Sequence, residues 1–177
     1  MAQDNGYVDI LTVVDVDKVI SEYGPNASLD DPGVAIADCV YMIVRRSDAD
    51  GAEAIPELTV DVSTNDILRW RLVSLTLNTR YSAVLYKMTV SENPDCITQP
   101  QPLVSSVMVP VPEVVGGQPG GFNTQPYKDF YFQATALQPT ATVPGQKVTY
   151  QLYVQVTDNK GNKVGTYSWD PFITITS

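Results

Sequence analysis

The chain has 177 residues, of which 44% are hydrophobic, a formal net charge of −9 and no histidine. That length and apolar content fit one globular domain spanning residues 1–177 and argue against global disorder. The acidity is spread along the chain, which argues against nucleic acid and against an anionic membrane surface as partners, because both require a basic face. Met1–Gly6 is polar and does not read as a secretory leader, and no apolar run approaches the ~20 residues that span a bilayer. The expected location is cytoplasmic.

Tyr7–Val16 reads as the first strand. Val8, Ile10, Thr12, Val14 and Val16 line one side, while Leu11 and Val13 make the other partly apolar, as in a central strand. Asp17–Tyr23 switches to helical spacing, with Val19, Ile20 and Tyr23 on one side, and Gly24-Pro25-Asn26 ends it. A loop over Asn26–Ala37 contains Asp30-Asp31-Pro32-Gly33. Cys39–Arg46 reads as the second strand, Ser47–Pro56 as an acidic connection, and Glu57–Ser63 as a short strand. Asp66–Leu77 and Tyr81–Val90, joined by Asn78-Thr79-Arg80, read as a hairpin with Trp70 facing the core.

Ser91–Pro102 is rich in turn residues. Leu103–Val115 is extended, and Pro110 and Pro112 demote it to an edge strand. Val115–Pro126, with its glycines and prolines, reads as a mobile loop. Tyr127–Gln138 is again a strand, with Phe130, Phe132, Ala134 and Ala136 inward. Lys147–Thr157 alternates without a break, turns at Asp158–Asn162, and returns through Val164–Trp169. Asp170-Pro171 interrupts the ladder before Phe172–Thr176. The pattern predicts an all-β fold: one β-sandwich, jelly-roll or immunoglobulin-like, of about eight or nine mostly antiparallel strands with one short helical segment near the N-terminus. A closed barrel is the alternative.

Without histidine there is no Ser-His-Asp or Cys-His catalysis and no His-containing zinc site. Two cysteines supply neither a disulfide framework nor an iron–sulfur site; Cys39 reads as a buried hydrophobe and Cys96 as a free thiol. No phosphate-binding glycine motif is present. Asp30-Asp31 and Asp48-Ala49-Asp50-Gly51 are candidate calcium loops, but in the second the Gly comes too early and no bidentate Glu follows at EF-hand spacing, so both read as solvated turn carboxylates. The expectation is no catalytic residue, no metal and no cofactor.

One outward face stands out. If the strands at 127–135 and 149–157 are neighbours, Tyr127, Tyr131, Gln133, Gln151, Tyr153 and Gln155 share a sheet surface. Polar aromatics with amides suit a self-association interface, which predicts a homo-oligomer, or a flat platform for a glycan. Ordinary β-favouring surface residues would look the same.

The opening DILTVVDVDKVISEYGPNASLDDP resembles the start of AidA/PixA-type bacterial inclusion body proteins. The carriers are Asp15, Ile20 to Tyr23, and Pro25-Asn26-Ala27-Ser28-Leu29-Asp30. Tyr41-Met42, Phe130-Tyr131-Phe132 and the close Trp169-Asp170-Pro171-Phe172-Ile173 follow in the family's order. The resemblance implies a non-enzymatic, soluble bacterial protein; together with the absent catalytic constellation and the Tyr/Gln face it leads to the expectation of self-association. Relatives are linked to dense intracellular inclusions or to population-density-controlled expression, and the family supplies no catalytic residues to carry over. With four methionines the chain departs from the Met-rich members that read as storage proteins.

Overall fold

Period-2 alternation of apolar residues builds two layers. The computed structural model describes residues 6–25, 35–51, 53–137 and 146–175. One sheet contains β1 (Tyr7–Val14), β2 (Val40–Ile43), β4 (Ile67–Ser74), β6 (Gln101–Val115) and β7 (Gln118–Thr135), in the order β2-β1-β4-β7-β6. The second contains β3 (Asp61–Val62), β5 (Tyr81–Val90), β8 (Gln146–Asp158) and β10 (Phe172–Ile175), in the order β3-β10-β8-β5. β9 (Lys163–Trp169) pairs with β8 beyond β10. Both sheets are mixed, since β1 runs parallel to β4 and β3 parallel to β10. The sheets remain two separate layers, so the sandwich expectation holds and the barrel alternative does not.

The inward positions read from the sequence form the core. Ile10, Leu68, Trp70 and Phe132 of the first sheet are buried, as are Val148, Tyr150, Leu152, Val154 and Val156 of the second. Each such side chain stabilises the fold by roughly 1.5–3 kcal/mol relative to exposure. β1 is central, with β2 on one side and β4 on the other. β9 and β10 lie end to end along β8: Trp169 faces Leu152, Phe172 faces Thr149, and Tyr150 N–H donates to the Pro171 carbonyl between them at 3.0 Å. Asp170-Pro171 is therefore the interruption expected from a residue without an amide donor.

The helix α1 (Val16–Tyr23) starts one residue earlier than the sequence reading, so Val16 is its first residue rather than the last of β1. Asp15 takes the cap, its Oδ1 accepting from Lys18 N at 3.1 Å. Gly24, at φ +67°, ends the helix with its N–H on the Ile20 carbonyl. The Tyr167 hydroxyl of β9 donates to the Gly24 carbonyl at 2.6 Å and fastens this end to the second sheet.

Three other readings need correction. β4 and β5 are not a hairpin: they lie in different sheets. Leu77 and Asn78 both have positive φ, and Ser74 Oγ accepts from Asn78 N at 2.8 Å. That turn carries the chain from one layer to the other, because two successive left-handed residues redirect it. The strand expected at Cys39–Arg46 is only β2, since Cys39 closes a short 3-10 turn. Finally, Val115–Pro126 is not a loop. It belongs to a long hairpin of 15-residue β6 and 18-residue β7, joined at Gly116-Gly117. The Asp30-Asp31 loop lies outside the described residues.

Candidate functional site

The six residues expected on one face are divided between the two layers. Tyr127, Tyr131 and Gln133 belong to β7 in the first sheet, whereas Gln151, Tyr153 and Gln155 belong to β8 in the second. β7 pairs with β4 and β6, and β8 with β5, β9 and β10. Their inward neighbours Phe132 and Tyr150 are both buried, so the two sets point away from each other on opposite outer surfaces. Period-2 patterning assigns a side chain to a face but does not say which strands adjoin.

On the first sheet's outer surface the odd positions of β1, β4 and β7 build an ionic ladder. Arg69 donates to both oxygens of Asp9, at 2.7 and 2.6 Å. Arg71 donates to Asp9 as well, and to Asp129 through Nε at 3.0 Å and Nη2 at 2.9 Å. The Arg69 guanidinium lies 4.3 Å from the Tyr7 ring centroid, and that of Arg71 lies 4.8 Å from the Tyr131 centroid. Partial burial pushes the Asp9 carboxyl up, but the hydrogen bonds and charges of Arg69 and Arg71 outweigh it and hold the pKa below its ordinary value. Burial likewise pulls Arg71 down, and Asp129 and Asp9 more than restore it. Tyr131 thus serves as a stacking surface for Arg71.

The second sheet's outer surface carries a smaller network. The Tyr153 hydroxyl donates to Gln151 Oε1 at 2.6 Å, and Gln151 Nε2 donates to Ser168 Oγ at 3.4 Å. Lys87 Nζ sits 4.7 Å from the Tyr153 ring centroid, and Tyr86 meets the same ring edge-on at 6.3 Å.

The feature that sequence reasoning misses is the β6–β7 ribbon. β7 pairs with β4 only from Phe132 to Thr135. β6 pairs with β7 all the way from Gln101↔Gln133 to Val115↔Gln118. Most of the hairpin therefore extends as a two-stranded ribbon past the sheet that anchors its base. Gly116 and Gly117 have φ of +59° and +82° and form a two-residue turn of the twist that hairpins favour. A Cβ on Gly120 would lie 2.8 Å from Val115 Cγ2, so the register shift between Glu113 and Val114 also needs a glycine opposite it. Val104, Met108 and Phe122 are 63%, 61% and 71% exposed. The Gly-Gly pair between valine-rich flanks is the available signal, and the surrounding prolines obscure it.

Carboxylates elsewhere bond to local neighbours. A shallow cleft of about 270 Å³ is lined by Tyr7, Arg45, Asp48, Asp61 and Asp66. Asp66 Oδ2 accepts from Ser63 N, and Asp48 Oδ1 from Ser47 Oγ. Among the described residues no three His, Cys, Asp or Glu side chains converge to hold a metal ion. Cys39 and Cys96 are buried free thiols whose pKa values burial raises. No described helix is long and apolar enough to cross a membrane.

A family model described as PixA, inclusion body protein, matches residues 6–175. No curated protein matches. Among solved structures, the crystal structure of an inclusion body protein (PixA) from Burkholderia cenocepacia J2315 superposes with a TM-score of 0.75 at 12% identity, covering 99% of both chains. The solution structure of amebosin gives a TM-score of 0.25 at 10% identity over 74% of this chain and 93% of its own, too slight a likeness to bear on the fold. The chain belongs to the PixA inclusion body protein family.

Proposed function

We propose that this chain is a non-enzymatic, self-assembling protein whose role is the assembly it builds, in storage or in an interaction with a host. The observation that carries this reading is the contrast between the ribbon and the rest of the chain. Residues 106–128, the ribbon from the Ser106↔Lys128 pair to the tip, contain one acid, Glu113, and one base, Lys128, so the entire formal charge of −9 lies elsewhere. Both charges are paired within the ribbon: Glu113 accepts from Asn123 Nδ2, and Lys128 donates to Ser106 Oγ. Identical acidic bodies repel one another at long range. A neutral element that exposes Met108 and Phe122 offers the apolar contact that overcomes this repulsion at short range. The family description supports the same reading.

Sedimentation velocity of the purified chain over a wide concentration series tests it. The expected result is a sedimentation coefficient that rises with concentration. A single monomeric species up to the highest soluble concentration would sink the proposal.

A further inference from the structure

We propose that two copies of this chain pair through the core-side faces of their β6–β7 ribbons, with Met108 and Phe122 of one copy packing against the same patch of the other. This rests on the self-assembly reading and adds the surface and its symmetry. Register identifies the face. Pro102 lies opposite Phe132, whose side chain is in the core. Alternation then places Val104, Ser106, Met108, Pro110 and Pro112 on that side, with their partners Phe130, Lys128, Pro126, Thr124 and Phe122. The core-side surface of the first sheet thus continues along the ribbon past the cover that the second sheet gives to Phe132.

The patch that remains lies on the tip side of Lys128 and Ser106: Met108, Pro110, Pro112, Phe122, Thr124 and Pro126. It carries no charge. On the opposite face Leu103, Val107 and Val111 are 37–40% exposed, Tyr127 50% and Val115 65%, so the two faces differ most at Met108 (61%) and Phe122 (71%), the largest apolar side chains of the uncharged patch.

The prolines decide between docking by face and docking by edge. Pro102, Pro110 and Pro112 of β6, and Pro126 of β7 opposite Met108, all belong to the same alternate set of cross-strand pairs. A proline cannot donate across a ladder, so this is the set whose backbone points away from the hairpin partner. The free edge of β6 then lacks N–H donors at two successive outward positions near the tip, and the edge of β7 lacks one at Pro126. The run of donors that strand addition needs is thus broken near the tip, where the patch lies, although Val104, Ser106 and Met108 keep their outward N–H groups. What remains is one face against its own copy, an isologous contact that closes after two subunits.

About nine residue pairs at ~3.3 Å, two strands wide at ~4.8 Å spacing, present on the order of 300 Å² per copy before side-chain relief. A stable interface buries ~800 Å² per partner. The pair is therefore weak and concentration-dependent, as suits a unit that assembles only where it accumulates.

Sedimentation velocity of Met108→Asp and Phe122→Asp, beside Val107→Asp and Val111→Asp on the other face, tests the assignment, with circular dichroism to confirm folding. The core-side variants are expected to weaken pairing at least tenfold, and the other two to change it less than threefold. Phe122→Cys should also form an intermolecular disulfide under mild oxidation, since native Cys39 and Cys96 are buried. A wild-type chain that stays monomeric would overturn the self-assembly reading and this surface with it. A wild-type oligomer unmoved by Met108→Asp and Phe122→Asp, or weakened equally by changes on both faces, would overturn the surface alone.

Discussion

Trp70 of β4 and Tyr150 of β8 meet edge-on across the sandwich with ring centroids 5.4 Å apart. Both side chains are fully buried, and among the described residues neither Trp70 Nε1 nor the Tyr150 hydroxyl has a hydrogen-bond partner. Burial pushes the Tyr150 phenol far above its ordinary pKa; the Trp70 N–H is near enough to oppose this weakly, though not in hydrogen-bonding geometry. The contact thus holds the layers together through packing. Trp70→Ala is expected to cost about 3–5 kcal/mol of stability. Tyr150→Phe removes an orphaned hydroxyl and is expected to leave stability unchanged or raise it by up to ~1 kcal/mol. Urea denaturation of the two variants checks both, and a loss above ~2 kcal/mol for Tyr150→Phe would reveal a partner for that hydroxyl.

The Asp9–Arg69–Arg71–Asp129 ladder makes stability depend on acid. The folded Asp9 carboxyl titrates below its unfolded value of about 3.9, so between the two the unfolded chain holds more protons. Its contribution is complete above the unfolded value and is lost as pH falls through the folded one. Asp9→Asn is expected to cost about 1–2 kcal/mol at neutral pH, because the side chains are partly exposed. The gap from wild type should close on acidification below pH ~4. Asp158, also held low by Asn162, titrates in both proteins and cancels in the comparison. Thermal melts from neutral to strongly acidic pH test this; a gap that stays constant would count against the ladder.

The turn at Gly116-Gly117 should be sensitive to backbone rather than to space. A Cβ added to either glycine would meet no atom within 4 Å, yet both have positive φ. Gly117→Ala is expected to strain the turn by about 1–2 kcal/mol. Gly116→Asn, which creates an Asn-Gly pair, should be tolerated. Because the turn is remote from the core, hydrogen exchange of the ribbon amides should accelerate in Gly117→Ala while the global melting temperature stays within a degree or two.

Salt separates the proposed assembly from one built on opposite charges. With −9 on each copy and a neutral contact surface, added sodium chloride should strengthen self-association by screening the repulsion. Light scattering at increasing ionic strength reads this directly. Dissociation by salt would mean that the contact is ionic.

Removing the edge guards should change the kind of association. In Pro110→Thr/Pro112→Thr the outward N–H groups of β6 return, and the ribbon edge becomes able to add strands. The expected outcome is slow, open-ended aggregation with thioflavin-positive β-structure, in place of a closed pair. A double variant that behaves like wild type would show that these prolines do not guard the edge.

Several features are fixed locally and can be read from sequence. The inward positions of β8, from Val148 to Val156, the central place of β1, the edge role of β6 and the interruption at Asp170-Pro171 each depend on alternation or on one residue's missing donor. The helix start is displaced by one residue from its expected place, because Val16 also suits the strand pattern.

Tertiary structure alone decided which strands adjoin. Nothing local distinguishes a hairpin over Asp66–Val90 from a crossing between layers, and nothing local tells Tyr131 and Tyr153 that they belong to different sheets. The ribbon is illegible for a related reason. Its prolines disfavour strands on average, yet they are tolerated at positions whose amides face away from the partner, and that parity exists only once the β6–β7 register is set. Side-chain period is a property of one strand, whereas pairing, and with it every surface shared between strands, is a property of two.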